Sequence, residues 1–262
     1  MYIADYSNHR VVAVDLNTNN STYIIGLGYF NRPHDVFATN TSLYISDTGN
    51  HRIIKLSLNG SNETHAVQLN QSLVPKYIYV DFDENIYFSE GTSHTVRLFN
   101  STLETVDIVA GNGTNGSADN QLNIPYGIFV DQNRTVYVAD CHNNRIMKWF
   151  SGASVGIRVA GSTPTELRLP THIIVDNNGY MYISESGNAR VTRWAPNSTF
   201  GICIAACTGI LGKSSNQLQG PHSLTFDSDG SLYVSDFFNH RIQKFQIHHP
   251  QSKFRFVIIV HT

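Results

Sequence analysis

The chain has 262 residues, of which 41% are apolar and 15% charged, with a net charge of −2. That length suits one large domain or two small ones. The near-neutral charge leaves no electrostatic footprint for nucleic acid or anionic lipid, and no apolar run reaches the ~18 residues of a membrane-spanning helix. The longest, Phe256-Val257-Ile258-Ile259-Val260, is strand-sized, and the opening Met1-Tyr2-Ile3-Ala4-Asp5 lacks the basic and apolar regions of a signal peptide.

Taken from the start, one phrase recurs six times. It reads Tyr2-Ile3-Ala4-Asp5 with Asn8-His9-Arg10-Val11, then Tyr44-Ile45-Ser46-Asp47 with Asn50-His51-Arg52-Ile53. The third copy is Tyr87-Phe88-Ser89-Glu90 with Ser93-His94-Thr95-Val96. The fourth is Tyr137-Val138-Ala139-Asp140 with Asn143-Asn144-Arg145-Ile146, and the fifth Tyr182-Ile183-Ser184-Glu185 with Asn188-Ala189-Arg190-Val191. The sixth is Tyr233-Val234-Ser235-Asp236 with Asn239-His240-Arg241-Ile242. The acidic positions lie 42 to 51 residues apart, the period of a propeller blade.

A second phrase precedes copies two to six: a proline and a short apolar run, at Pro33 to Ala38, Pro75 to Asp81, Pro125 to Asp131, Pro170 to Asp176 and Pro221 to Asp227. Nearly continuous apolar runs such as Ile128-Phe129-Val130 suit strands covered on both faces. Each repeat therefore reads as four strands. The post-proline run is innermost, the Tyr-x-x-Asp run next, the run from the arginine third, and a short run such as Val106 to Ala110 or Ile157 to Ala160 outermost. The pattern predicts an all-β fold over residues 1–262, a six-bladed β-propeller of four-stranded antiparallel blades with no sustained helix. The first copy begins at its second strand, so the first blade is predicted to lack its innermost strand. Phe254 to Val260 is read as the outer strand of the last blade and the chain as a piece of a longer protein, with the alternative that the tail supplies the missing strand of the first blade and closes the ring.

The acid and arginine of each hairpin stand five residues apart across a tight turn, as in Asp47 and Arg52, Asp140 and Arg145, Glu185 and Arg190, and Asp236 and Arg241. Charge-assisted pairing across the turn is the expected role, because a group repeated in every blade is structural. The third copy has Thr95 in the arginine position, so its hairpin is predicted to be the least ordered of the six.

These phrases resemble the NHL-repeat family, at residues 2–11, 44–53, 87–96, 137–146, 182–191 and 233–242. The Tyr-x-x-Asp half is also similar to the Tyr-Trp-Thr-Asp propellers of lipoprotein-receptor relatives, and the Asn-x-Arg half tips the match toward NHL. The resemblance implies a single six-bladed propeller.

Residues just after each proline should face the central channel: His34-Asp35, Lys76-Tyr77, Tyr126-Gly127, Thr171-His172 and His222-Ser223. Three histidines in one funnel raise the question of a metal. The peptidyl-hydroxyglycine amidating lyase is an NHL-like propeller that holds zinc with Pro-His at blade starts, a phrase matched by Pro33-His34 and Pro221-His222. Its third ligand would fall where Tyr126 stands, and His172 is one residue late and one blade on. No catalytic residue and no cofactor are therefore assigned, with zinc or calcium held by His34, His172 and His222 as the alternative. Some NHL domains bind RNA on a basic face. Eighteen Lys plus Arg against twenty acids, with the repeated arginines committed to hairpins, argue against that here. Gly111-Asn112-Gly113-Thr114-Asn115-Gly116 spells a dinucleotide-loop motif without the helix it requires, and is read as a connection between blades.

Of three cysteines, Cys203 and Cys207 are spaced for a local disulfide or are ordinary thiols, and Cys141 is left over. Eleven Asn-x-Ser/Thr acceptors occur, against about four expected from composition. The excess predicts passage through the secretory route and an extracellular or lumenal site, with Asn40, Asn59, Asn100, Asn133 and Asn197 as glycosylation candidates. The function expected is a non-catalytic interaction or scaffolding module for a protein or glycan partner on a loop face. A metal-dependent lyase and an RNA-binding module are the alternatives.

Overall fold

Strands form where apolar and β-branched residues run between turn formers, and the repeat supplies such runs throughout. The computed structural model describes residues 1–16, 18, 20–25, 28–58, 64–69, 72–161, 166–247 and 257–260. The first sheet contains β1 (Tyr2–Asp5), β2 (Arg10–Asp15) and β3 (Asn20–Ile25). The second contains β4 (Pro33–Ala38), β5 (Ser42–Asp47), β6 (Arg52–Ser57) and β7 (Thr64–Gln68). The third contains β8 (Ile78–Val80), β9 (Ile86–Glu90), β10 (Thr95–Asn100) and β11 (Thr105–Ala110). The fourth contains β12 (Pro125–Val130), β13 (Val136–Asp140), β14 (Arg145–Trp149) and β15 (Ile157–Ala160). The fifth contains β16 (Pro170–Val175), β17 (Met181–Glu185), β18 (Arg190–Trp194) and β19 (Gly201–Ala205). The sixth contains β20 (Pro221–Phe226), β21 (Leu232–Asp236) and β22 (Arg241–Phe245). A final strand, β23 (Val257–Val260), follows. The only helical turns among the described residues are single 3-10 turns in the hairpins.

Within each repeat the strands pair antiparallel in chain order, so each sheet is a meander. Two expectations are corrected at the chain ends. The first sheet does not lack a fourth strand: β23 lies beside β1, in the order β23-β1-β2-β3. Its residues run parallel to their partners, Tyr2 opposite Val257 and Asp5 opposite Val260. The tail is accordingly not the outer strand of the sixth sheet, which has three strands among the described residues. Residues 254–256 of that expectation lie outside the described residues. Strand direction accounts for the parallel pairing. Directions alternate along a meander, so a tail arriving after three strands points opposite to one arriving after four.

The sheets pack face to face through their apolar sides. Ile53 and Tyr44 of the second sheet meet Ile78, Val80, Ile86 and Phe88 of the third. Ile146 and Ala139 meet Ile173 and Ile183, and Ile174 and Tyr182 meet Leu224, Phe226 and Val234. Each such large side chain contributes about 1.5–3 kcal/mol when fully buried. The inner strands touch in succession: β4 touches β8, β8 touches β12, β12 touches β16, and β16 touches β20. β23 touches both β20 and β4.

Candidate functional site

The register sets which side of the sheets carries the site. Pro33 pairs with Asp47, Pro125 with Asp140, Pro170 with Glu185 and Pro221 with Asp236. The starts of the inner strands therefore lie on the same side as the acid-ended hairpins. We term this side the hairpin face.

Each hairpin is held by the same set of bonds. Asp140 is fully buried and accepts from Arg145 Nε at 2.7 Å, Asn143 Nδ2 at 2.8 Å and the Asn123 backbone N–H at 2.7 Å. The Arg145 guanidinium also donates to the carbonyls of Ser117, Ala118 and Gln121 in the loop that enters the sheet. Asp47 and Asp236 repeat the pattern with Arg52 and Arg241, each at 2.7 Å, and with loop N–H groups of Asn31 and Gln219. Asp5 pairs with Arg10 at 2.6 Å and Glu185 with Arg190 at 3.1 Å. The Asn two residues before each arginine binds the acid as well. The residue between them adopts the left-handed region in every copy, from His9 at φ 55° to Ala189 at φ 50°, a conformation Asn and His accept more readily than most residues. His9 and His94 use Nδ1 to accept the backbone N–H of Arg32 and Ile124 in the next connection.

The third hairpin, expected to be the least ordered, has a substitute for the missing arginine. Thr95 is buried, and Arg97, two residues later on the same strand face, reaches back to Glu90 at 3.0 Å. Ser93 Oγ also bonds Glu90, in place of the usual Asn.

At the axis, Tyr77 of the third sheet is fully buried. Its ring lies 4.9 Å from the His34 ring of the second sheet, 5.8 Å from Tyr126 of the fourth and 5.6 Å from His172 of the fifth. Its hydroxyl donates to the His222 carbonyl of the sixth at 3.4 Å. A side chain that touches four other sheets occupies the centre, so Tyr77 fills the axial channel between the histidines. No three His, Cys, Asp or Glu side chains among the described residues are placed to share a metal ion. Burial pushes the His172 imidazole down to about 3, and burial together with the Lys76 charge pushes His222 down to about 4. Asp35 is buried and held well above the usual carboxylate range, although it accepts the N–H groups of Val36 and Ile78 at 2.8 Å. That second bond ties the second sheet to the third.

Above Tyr77, toward the hairpin face, lies a half-buried layer that includes Lys76, Tyr126, His222, Phe237 and Tyr6. Lys76 Nζ stands 4.8 Å from the Tyr126 ring centroid. Tyr126 and His222 rings are 5.9 Å apart, and Phe237 stacks on His222 at 4.6 Å. Tyr6 contributes an edge contact to His34 at 6.0 Å. Sequence reasoning passed over the position directly after each acid, filled by Tyr6, Thr48, Gly91, Cys141, Ser186 and Phe237. The signal was available: this position, like the one after it (Ser7, Gly49, Thr92, His142, Gly187 and Phe238), differs between copies of the phrase.

The GxGxxG stretch lies on the connection between the third and fourth sheets, with no helix following it. Cys203 and Cys207 form a disulfide, and Cys141 is a buried free thiol pushed up to about 12. Asn40, Asn133 and Asn197 are exposed in turns on the side opposite the hairpin face, and half-buried Asn100 ends β10 on that same side. Asn59 lies outside the described residues, as do Asn19, Asn62, Asn70 and the pair His248-His249. Asn112 and Asn115 sit on a connection of the hairpin side.

Comparison with known proteins follows from this geometry. The family model of the NHL repeat matches residues 218–245, which hold Pro221, Asp236, Asn239 and Arg241 of the sixth copy. The chain carries an NHL repeat. Its remaining five copies keep the acid–arginine clamp that this repeat displays. Among solved structures, a nidogen/laminin complex contains a chain similar at 16% identity, covering 96% of this chain and 95% of that one, with a TM-score of 0.67. A streptogramin B lyase is similar at 14% identity and TM-score 0.60, over 83% of this chain and 70% of that one. A virginiamycin B lyase from Staphylococcus aureus gives 14%, 0.58, 83% and 71%. These are β-propellers, and at such identities the likeness is one of fold. No curated protein matches the chain in sequence.

Proposed function

We propose that the six sheets close into a six-bladed propeller, with β23 seated between β20 and β4, and that the NHL chain is a non-catalytic extracellular interaction module. Its hairpin face receives a protein partner, and no cofactor takes part. One observation carries this reading: six hairpins are fixed by an acid–arginine clamp, while the residue after each acid differs between copies, with Tyr6, Ser186 and Phe237 partly exposed. A rigid frame that presents variable residues on short loops is the arrangement recognition requires. The recurrent arginines are spent on carboxylates and loop carbonyls, which withholds them from the phosphates of an RNA. The likeness to a chain in a nidogen/laminin complex supports a protein ligand over a glycan. Acceptors Asn40, Asn100, Asn133 and Asn197 sit on the opposite side, while the exposed acceptors Asn112 and Asn115 sit on the connection between the third and fourth sheets, so sugar there would leave only the rest of the hairpin face open.

The test is a binding screen of the chain against an array of extracellular proteins. Tyr6→Ser and Phe237→Ser on the hairpin face are compared with Phe82→Ser, an exposed residue of a turn on the far side. Loss of the captured interaction on the first two substitutions alone supports the reading. Loss on Phe82→Ser alone overturns the assignment of the face.

A further inference from the structure

The mouth of the axis holds a cation with no carboxylate of its own. Lys55, Lys244 and Arg134 each pair with an acid, as do all six hairpin arginines. Lys76, like Arg32, Lys148, Arg158, Arg168, Arg193 and Lys213, takes part in no ion pair among the described residues, and it is half-buried against Tyr126. The acids of its surroundings are committed elsewhere: Asp140 to Arg145, Asn143 and Asn123, and Asp35 to the backbone of Val36 and Ile78. Lys76 is half-buried, and the loss of water around its ammonium group lowers its pKa. A partly dehydrated charge without a counter-ion is a cost that a bound anion relieves.

The repeat carries no hairpin side chain beside that ammonium group. The position after the acid is glycine in the third copy, and a Cβ at Gly91 would stand 3.2 Å from Lys76 Nζ and 3.4 Å from Ile124 Cγ2. Glycine at this position keeps the hairpin's own side chain off the ammonium group. The surrounding rings set the rest of the ligand. Tyr126 lies under the ammonium, His222 and Phe237 continue from it as a stacked pair, and His222 is held neutral by its low pKa. A neutral aromatic wall beside one cation fits a flat apolar body joined to an acid group.

We propose that Lys76, Gly91, Tyr126, His222 and Phe237 form a binding site for a carboxylate attached to an aromatic or apolar body. This goes beyond the partner-binding reading and stands without it, because the site recognises a chemical group whether that group arrives free or on a chain.

The experiment titrates the intact chain with phenylacetate, with its neutral amide phenylacetamide, and with the blocked dipeptide acetyl-Glu-Phe-amide, following the His222 imidazole resonances. Phenylacetate is expected to saturate with a Kd on the order of 1 mM, with phenylacetamide at least tenfold weaker. Saturation by phenylacetate and not the dipeptide identifies a small free acid as the source; the reverse identifies a segment of protein. Lys76→Met removes the binding in either case. Gly91→Glu, which places a carboxylate beside Lys76, removes it too and serves where the first variant fails to fold. Equal binding of acid and amide, no saturation by either acid, or binding that survives Lys76→Met would overturn the proposal.

Discussion

The hairpin clamp offers one substitution in six hairpins with graded burial. Arginine to methionine keeps the apolar stem and deletes the charge. At Arg145, whose side chain is 8% exposed, the change leaves Asp140 buried with two donors and strips three loop carbonyls of their partner. Breaking a buried pair from one side costs about 3–5 kcal/mol. At Arg10 the side chain is 33% exposed, water can take over the lost bonds, and the cost falls to about 1 kcal/mol. Arg52 and Arg97, near 20%, belong between them. In thermal terms the Arg145 variant should melt roughly 6–20 °C lower, and the Arg10 variant roughly 2–4 °C lower. Urea unfolding at pH 7 of the Arg145, Arg97, Arg52 and Arg10 variants measures the gradient. Equal losses at all four positions, or the largest loss at Arg10, would refute the claim that burial sets the strength of the clamp.

Three further outcomes follow. Stability should fall as pH drops below about 6.5, because the unfolded chain takes up protons that His172 and His222, at about 3 and about 4, refuse when folded. The loss reaches up to about 2 kcal/mol per histidine at pH 5, and His172→Phe, which keeps a ring beside Tyr77, should remove about half of the acid-induced drop in urea midpoint. An identical pH slope in both proteins would show that His172 plays no part. Gly127→Ala should cost about 1–3 kcal/mol by overpacking, since the new Cβ would stand 2.6 Å from the His172 Cα and 2.8 Å from the Thr171 carbonyl of the neighbouring sheet; a variant as stable as the parent by calorimetry would mean the fourth and fifth sheets are not in that contact. Secreted from eukaryotic cells, the chain should carry sugar at Asn40, Asn133 and Asn197, exposed in turns, and less at Asn100, whose Oδ1 already holds the N–H groups of Thr102 and Leu103. Glycopeptide mapping reads the occupancy, and empty Asn40, Asn133 and Asn197 would remove the support for a secretory route.

Much of the fold could be read from the sequence because its repeated groups are the ones that hold it. The acid, the asparagine and the arginine recur since each hairpin needs all three, and the proline marks the residue paired with the acid. The third copy shows where such reading stops. Thr95 looked like a missing arginine, but position 97 projects from the same strand face, and a phrase matched column by column does not see a partner displaced by two. The axial cluster was half legible. His34, Asp35, Tyr126, His172 and His222 do gather at the centre, but which side chain fills it depends on size and direction, and Tyr77 rather than a ligand stands there. The tail was assigned to the other sheet because Val257–Val260 is apolar enough to complete either, and its pairing with β1 places it.

The account turns on six sheets shielding one another around an axis, with the tail as the seal. Amide hydrogen exchange of Tyr2–Asp5 in the whole chain, and in a chain cut after Ile247, tests this most directly. Slow exchange in the whole chain that becomes fast in β1, and rises in the facing strands β20 and β4, once the tail is removed is the predicted result. Exchange at these strands that is indifferent to the cut would contradict the closed ring.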